Sequence, residues 1–302
     1  MLWRGGRRSD NIEDRRGVGG GFGGGGFGGG RTVGVGGGLG LLVIIVVAML
    51  FGVDPMTLLQ GVDPGTGGTG YSQDQSYSGD QGTIGTSESD DEMKQFVEVV
   101  LADTEDTWTE IFAKGGARYE APTLVLFSGQ TNSACGFADS AVGPFYCPGD
   151  SKVYIDLAFY DELRQRFQAP GDFAQAYVIA HEVGHHIQHL LGTTDNVSSF
   201  SGATGGSVRI GLQADCYAGI WAHHMAQQGD ASQHIVIEEG DVEEALNAAS
   251  AIGDDTLQKK TQGRVVPDSF THGTSAQRMR WFKTGLQTGD IGACDTFGAK
   301  QL

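Results

Sequence analysis

Basic charge is scarce in this chain of 302 residues, in which 20 lysines and arginines face 37 aspartates and glutamates for a net charge of −17. What basic charge exists is unevenly placed. Residues 1–31 hold six arginines (Arg4, Arg7, Arg8, Arg15, Arg16 and Arg31) against Asp10, Glu13 and Asp14, a net of +3, which leaves −20 on residues 32–302. An acidic body of this kind argues against nucleic acid as a partner. Cysteine is also scarce, with four residues, Cys135, Cys147, Cys216 and Cys294, and no C-x-x-C spacing, so a cysteine metal site has no support. No internal repeat is visible, which excludes a solenoid or propeller.

Charge is missing altogether from Thr32 to Val53, twenty-two residues that close on Leu39-Gly-Leu-Leu-Val-Ile-Ile-Val-Val-Ala-Met-Leu-Phe. That length spans a bilayer with some tilt. A small-x-small cleavage site is absent and a long Gly-rich stretch precedes the run, which argues against a signal peptide. All six N-terminal arginines come before it, so the positive-inside rule predicts a single-pass protein of the bacterial inner membrane, with residues 1–31 as a cytoplasmic tail and the body extracytoplasmic. The cysteines agree. All four follow the apolar run, an even number suited to an oxidising compartment. Cys135 and Cys147 bracket a Gly/Pro/Ser-rich loop and are expected to pair, leaving Cys216 for Cys294, although three connectivities are possible.

Residues 54–90 are rich in Gly, Ser, Thr, Gln and Asp and too poor in branched apolar residues to form a core, so they read as a flexible linker. Residues 91–302 then form one domain, and the expected fold class is α+β, mainly helical with a small sheet. Apolar periodicity predicts helices over 91–114, 157–167, 172–191, 207–228, 241–252 and 276–286, and the β-rich runs 123–127 and 152–156 predict strands. Val153–Asp156 is a candidate edge strand for pairing with an extended substrate.

The centre of the third of these helices reads His181-Glu182-Val183-Gly184-His185. On a helix, positions four apart share a face, so two imidazoles can meet one zinc ion while the adjacent carboxylate accepts a proton from an activated water. Asp172 followed by Gln175 resembles a capping box, and Gly192 fits the position just past the C-terminus. Phe173, Ala176, Tyr177, Ala180, Val183, Ile187 and Leu190 leave little polar face, so the helix is expected to be buried. Buried histidines need partners, and a metal supplies one. His186, His189, His223 and His224 fall off this spacing and read as packing or surface residues, and Tyr217 and Trp221 as core.

Together with this motif, the segments Ser9-Asp-Asn-Ile-Glu-Asp-Arg-Arg-Gly17, Gly143-Pro-Phe-Tyr-Cys-Pro148, Val153-Tyr-Ile-Asp156, Ala180-His-Glu-Val-Gly-His-His186, Leu212-Gln-Ala-Asp-Cys216, Val266-Pro-Asp-Ser-Phe-Thr-His-Gly273 and Cys294-Asp-Thr-Phe297 carry a resemblance. The chain resembles the bacterial neutral zinc metallopeptidase family of YpfJ-like membrane proteins over nearly its whole length. The resemblance implies a zincin-like fold, a Zn2+ cofactor and endopeptidase activity on a peptide or protein substrate of the cell envelope. In that family the segment before the cysteine reads Glu-Leu-Gln-Ala-Asp, and its Glu is the expected third zinc ligand. Here that position is Gly211.

Asp215, four residues on, is then the candidate third metal ligand beside His181 and His185, its other role being to steady a histidine ligand. Glu182 is the expected catalytic base. His272 is a candidate donor to the oxyanion of the reaction, with Arg278 as the alternative. The rival function is a catalytically impaired scaffold that binds envelope proteins, and Gly211 is the feature that favours it.

Overall fold

The computed structural model describes residues 1–17, 88–197, 202–227 and 235–302. The expected apolar span at 32–53 and nearly all of the linker at 54–90 lie outside them. No helix among the described residues is long and apolar enough to cross a membrane. Met1–Gly19 and Thr86–Leu302 form one compact unit.

Its sheet contains β1 (Ile12–Asp14), β2 (Thr123–Phe127), β5 (Phe145–Cys147) and β6 (Lys152–Asp156), in the order β1-β2-β6-β5. β2 lies parallel to both β1 and β6, and β5 is antiparallel to β6. A separate hairpin joins β3 (Gln130–Ser133) to β4 (Gly136–Asp139). Seven α-helices complete the described chain: α1 (Glu88–Lys114), α2 (Ala158–Gln165), α3 (Asp172–Leu190), α4 (Gly206–Gln227), α5 (Asp241–Ala251), α6 (Asp254–Gln262) and α7 (Ser275–Thr288). The α+β class, mainly helical with a small sheet, is as expected; β1, β3, β4, β5 and α6 are additions to the predicted elements.

The motif helix α3 packs against α4, α5 and α1 and is buried on nearly every side. Aromatic contacts fasten these helices: Phe173 stacks on Trp221 with ring centroids 5.7 Å apart, and Tyr177 meets Phe282 edge-on at 5.5 Å. Such pairs are worth about 0.5–1.5 kcal/mol beyond the area they bury. α4 and α7 approach more closely than side chains permit. A Cβ on Gly285 would lie 1.9 Å from the Cys216 carbonyl oxygen, and one on Gly219 would lie 2.1 Å from that of Phe282, so glycine is required on both helices. The contact delivers the first turns of α7 to the metal-motif region.

Two local expectations change. Asp172 does not cap α3: the N-cap is Gly171, and the Phe173 N–H donates to Glu244 Oε2 of α5 at 3.1 Å. A carboxylate from another helix thus serves the positive end of the dipole, which sequence proximity does not reveal. At the other end Gly192, with φ of 67°, takes the expected left-handed position. Val153–Asp156 is not an edge strand, because β6 has β2 on one side and β5 on the other. The Cys135–Cys147 disulfide closes a loop that returns Phe145–Cys147 outside β6, and β5 becomes the edge. The second disulfide joins Cys216 and Cys294, so the described pairing is the expected one.

The largest difference concerns residues 1–17, read from the sequence as part of a separate tail. β1 is the outer strand of the sheet, with Ile12 opposite Leu124 and Asp14 opposite Leu126. Arg7 reaches the Ala102 carbonyl at 2.7 Å, Glu105 at 3.0 Å and Asp106 at 2.8 Å on α1. Ser9 and Asn11 donate to Glu105 Oε1 at 2.6 and 2.8 Å. Arg4 pairs with Glu92, Arg8 with Glu98, Arg15 with Glu13 and Arg16 with Asp14. The arginines taken as a topology signal have carboxylate partners here, and the Ser9–Gly17 motif is part of the fold.

An odd number of membrane crossings between residues 17 and 88 would put β1 and β2 on opposite sides of a bilayer. Their pairing predicts that both ends of that segment share a compartment. With all native cysteines in disulfides, the exposed positions Arg8 and Lys260 can be tested as single Arg8→Cys and Lys260→Cys variants. A membrane-impermeant maleimide applied to intact cells and then to lysed cells should give the same pattern for both. Labelling of one from outside and the other only after lysis would contradict the sheet.

Candidate metal centre

α3 places His181 and His185 one turn apart, as their spacing requires, and their ring centroids are 4.8 Å apart. A third imidazole joins them from the loop between α6 and α7. One ligand atom each of His181, His185 and His272 lies within 4.8 Å of the other two. His272 thus stands at 5.9 Å from His181 and 6.5 Å from His185 by ring centroid.

Each of the three rings has its Nδ1 engaged. His181 Nδ1 meets Asp215 Oδ1 at 2.8 Å, His185 Nδ1 meets Gln188 Oε1 at 2.8 Å, and His272 Nδ1 meets Thr271 Oγ1 at 2.9 Å. Asp215 can only accept, so the His181 proton sits on Nδ1. Gln188 donates through Nε2 to the Ile210 carbonyl at 2.8 Å and to Gln213 Oε1 at 2.9 Å, which leaves its oxygen to accept from His185. In these tautomers Nε2 keeps the lone pair that a metal takes. Burial holds His181 below its ordinary pKa and His185 well below it, with His181 adding its own repulsion on His185. His272 keeps part of its surface open to solvent, yet desolvation, Arg278 and His181 lower it too. All three rings are neutral at pH 7, the state that ligates metal. The donor set fits zinc, which favours imidazole nitrogen.

Asp215, the sequence candidate for a third ligand, stands behind His181 and outside that trio. It is fully buried, and both of its oxygens are taken. Arg278 Nε donates to Oδ2 at 2.9 Å and Nη2 to Oδ1 at 2.9 Å, and the Tyr177 hydroxyl also donates to Oδ1. Burial works to raise the Asp215 carboxyl, but Arg278 and His181 hold it below its usual range. Arg278, the alternative oxyanion donor, is 3% exposed and directed at Asp215, Tyr177 and the Ile252 carbonyl, so it does not face the site. Sequence reasoning did not assign Tyr177 a part, although its spacing of four from His181 puts it on the same helix face.

Glu182 is buried and its carboxyl is pushed up to about 8 by burial, against the opposing pull of Arg278 and a backbone hydrogen bond from Tyr146 on β5. A cation at the three imidazoles would favour its ionised form. The edge strand therefore runs beside the candidate base. His186 uses both ring nitrogens elsewhere, on the Tyr146 hydroxyl at 3.0 Å and the Glu120 carbonyl at 2.6 Å. A second acidic group, Asp172, Asp241 and Glu244, holds the Met1 ammonium, which lies 3.0 Å from Asp172 and 3.1 Å from Asp241.

Residues 1–297 match the family model described as "Putative neutral zinc metallopeptidase". The chain belongs to this family. Among its relatives, the uncharacterised Escherichia coli protein YpfJ (strain K12) is 51% identical over 304 aligned positions that cover 99% of each chain. An uncharacterised Mycobacterium bovis protein is 46% identical over 190 positions, 61% of this chain and 65% of its own length. No solved structure matches the chain.

The Asp215–Arg278 pair generates a prediction about stability. Removing one partner of a buried ion pair leaves the other charge without compensation, a loss of about 3–5 kcal/mol. Arg278→Ala and Asp215→Asn should therefore each lower stability by several kcal/mol in denaturant titrations of the metal-free protein. A change below about 1 kcal/mol, the scale of an exposed pair, would show that the pair does not hold the helices.

Proposed function

We propose that this protein is a zinc-dependent endopeptidase that hydrolyses peptide or protein substrates of the cell envelope. The observation that carries the proposal is the set of imidazoles whose Nδ1 atoms are all braced, converging beside the buried carboxylate of Glu182. His181 and His185 would hold Zn2+. When bound, the ion acts as a Lewis acid toward the scissile carbonyl and lowers the pKa of water.

The remaining chemistry belongs to the chain. Glu182 takes a proton from the attacking water on a carboxylate oxygen and returns it to the departing amine nitrogen, a role for which a cation held at the imidazoles keeps it ionised at the outset. Asp215 keeps the His181 ring in one orientation. β5 has one side against β6 and, among the described residues, no strand on its other edge, so an extended substrate can add to it beside Glu182. The two disulfides support work in an oxidising compartment outside the cytoplasm. A purely structural scaffold would have no use for three imidazoles arranged in one tautomer.

Metal analysis separates the roles. The purified full chain should carry about one zinc, which His181→Ala and His185→Ala each remove. Glu182→Gln should retain the zinc and lose casein-type proteolysis by at least the 100- to 10,000-fold range typical of a general base. Unchanged zinc content in both histidine variants would end the assignment, and full activity in Glu182→Gln would end the role of the carboxylate.

A further inference from the structure

We infer that His272 is the third protein ligand of the zinc in this chain, closing with His181 and His185 a three-imidazole site over Gly211. The inference rests on the zinc reading above and adds what completes the site. Two helical histidines leave zinc short of the three protein ligands of a catalytic site. Among the described residues, the group of potential ligand atoms that includes both helical histidines has His272 as its third member. At a tetrahedral zinc with Zn–N bonds of about 2.1 Å, two ligand nitrogens stand about 3.4 Å apart. Atoms that lie within 4.8 Å of one another reach that spacing by closing up to about 1.4 Å, through rotation of the imidazole side chains.

Position 211 explains why that ring can stand there. A Cβ on Gly211 would lie 3.0 Å from His272 Cα, 3.2 Å from its Cδ2 and 3.4 Å from its Cβ. His272 therefore rests closely on the bare backbone of α4, where an added Cβ would make a tight contact that the histidine relieves only by moving. The glycine that removes a possible carboxylate ligand is the same residue that seats the histidine.

The loop bearing His272 is fixed by a carboxylate set aside for it. Asp254, at the start of α6 and 8% exposed, accepts on its Oδ2 from the backbone N–H groups of Thr271, His272 and Gly273, at 2.7, 2.7 and 2.8 Å. In return the Asp254 N–H donates to the Gly273 carbonyl at 2.9 Å. The Thr271 hydroxyl, which accepts from His272 Nδ1, lies 3.4 Å from Asp254 Oδ1. Asp254 and Thr271 are thus positioning residues: they hold the backbone and the tautomer of a ring that they do not pass to substrate.

The test uses the full-length protein, with Zn2+ affinity measured by chelator competition and the visible spectrum of bound Co2+ as the report on coordination. His272→Ala should weaken Zn2+ by more than the 10- to 100-fold that loss of a supporting partner causes, and should alter the Co2+ spectrum. His272→Gln, which keeps most of the volume, should reproduce the loss with an unchanged circular dichroism spectrum, and added imidazole should restore affinity to His272→Ala. Asp254→Asn should fall within the 10- to 100-fold range and keep the native Co2+ spectrum once saturated. Native Zn2+ affinity and Co2+ spectrum in His272→Ala and His272→Gln, while His181→Ala loses the metal, would overturn the third-ligand assignment and leave the zinc reading standing. Retention of metal by His181→Ala as well would overturn the zinc reading itself.

Discussion

Asp215 holds a negative charge where water does not reach, and four helices are arranged around that fact. The carboxylate is carried by α4; its partners are Tyr177 and His181 of α3 and Arg278 of α7, and the same guanidinium reaches the Ile252 carbonyl that follows α5. An isolated buried carboxylate costs several kcal/mol of hydration, which only close and well-directed donors offset. The donors here lie on separate elements, so satisfying the charge fixes the relative positions of α3, α4 and α7. The glycine contacts between α4 and α7 are the steric counterpart, since Arg278 reaches Asp215 only if those backbones nearly touch.

The electrostatics of the metal centre follow from that arrangement. Asp215 orients His181, while a second chain of hydrogen bonds runs from His185 through Gln188 and Gln213 to the Cys294 carbonyl, next to the Cys216–Cys294 disulfide. Both helical histidines are therefore tied to α4 before any ion arrives. Glu182, one residue from His181, has no such donor among the described side chains, and burial raises its pKa instead. One helix thus supplies two kinds of group, imidazoles held neutral with fixed tautomers and a carboxyl poised to exchange a proton, and the difference comes from the partners each meets on neighbouring elements.

The N-terminal segment shows how a charge pattern can carry two meanings. Arginines ahead of a long uncharged run have the form of a membrane topology signal. In the structure Arg4, Arg7 and Arg8 meet the acidic face of α1, and Arg15 and Arg16 meet acidic residues of β1. The same residues serve a parallel strand pairing in which β1 lies about 110 positions away in sequence from its partner β2. Nothing in residues 1–17 alone announces that pairing, because a three-residue strand has too little pattern to be read.

By itself the sequence determined the elements that have long apolar periods and the chemistry that has fixed spacing. Helix α3 and strands β2 and β6 begin where the pattern places them, and His181, Glu182 and His185 meet because four residues nearly complete one helical turn. The loop between Cys135 and Cys147 suggested the disulfide pairing, but the choice among three connectivities came from the structure. Tertiary structure alone decided the rest. Only packing shows that β5 is the edge strand, that Asp215 faces His181 and Arg278, and that His272 rests on Gly211. These are relations between residues 34 to 63 positions apart, or between strands whose order is set by a loop closure, and local propensity carries no information about which distant groups will share one buried space.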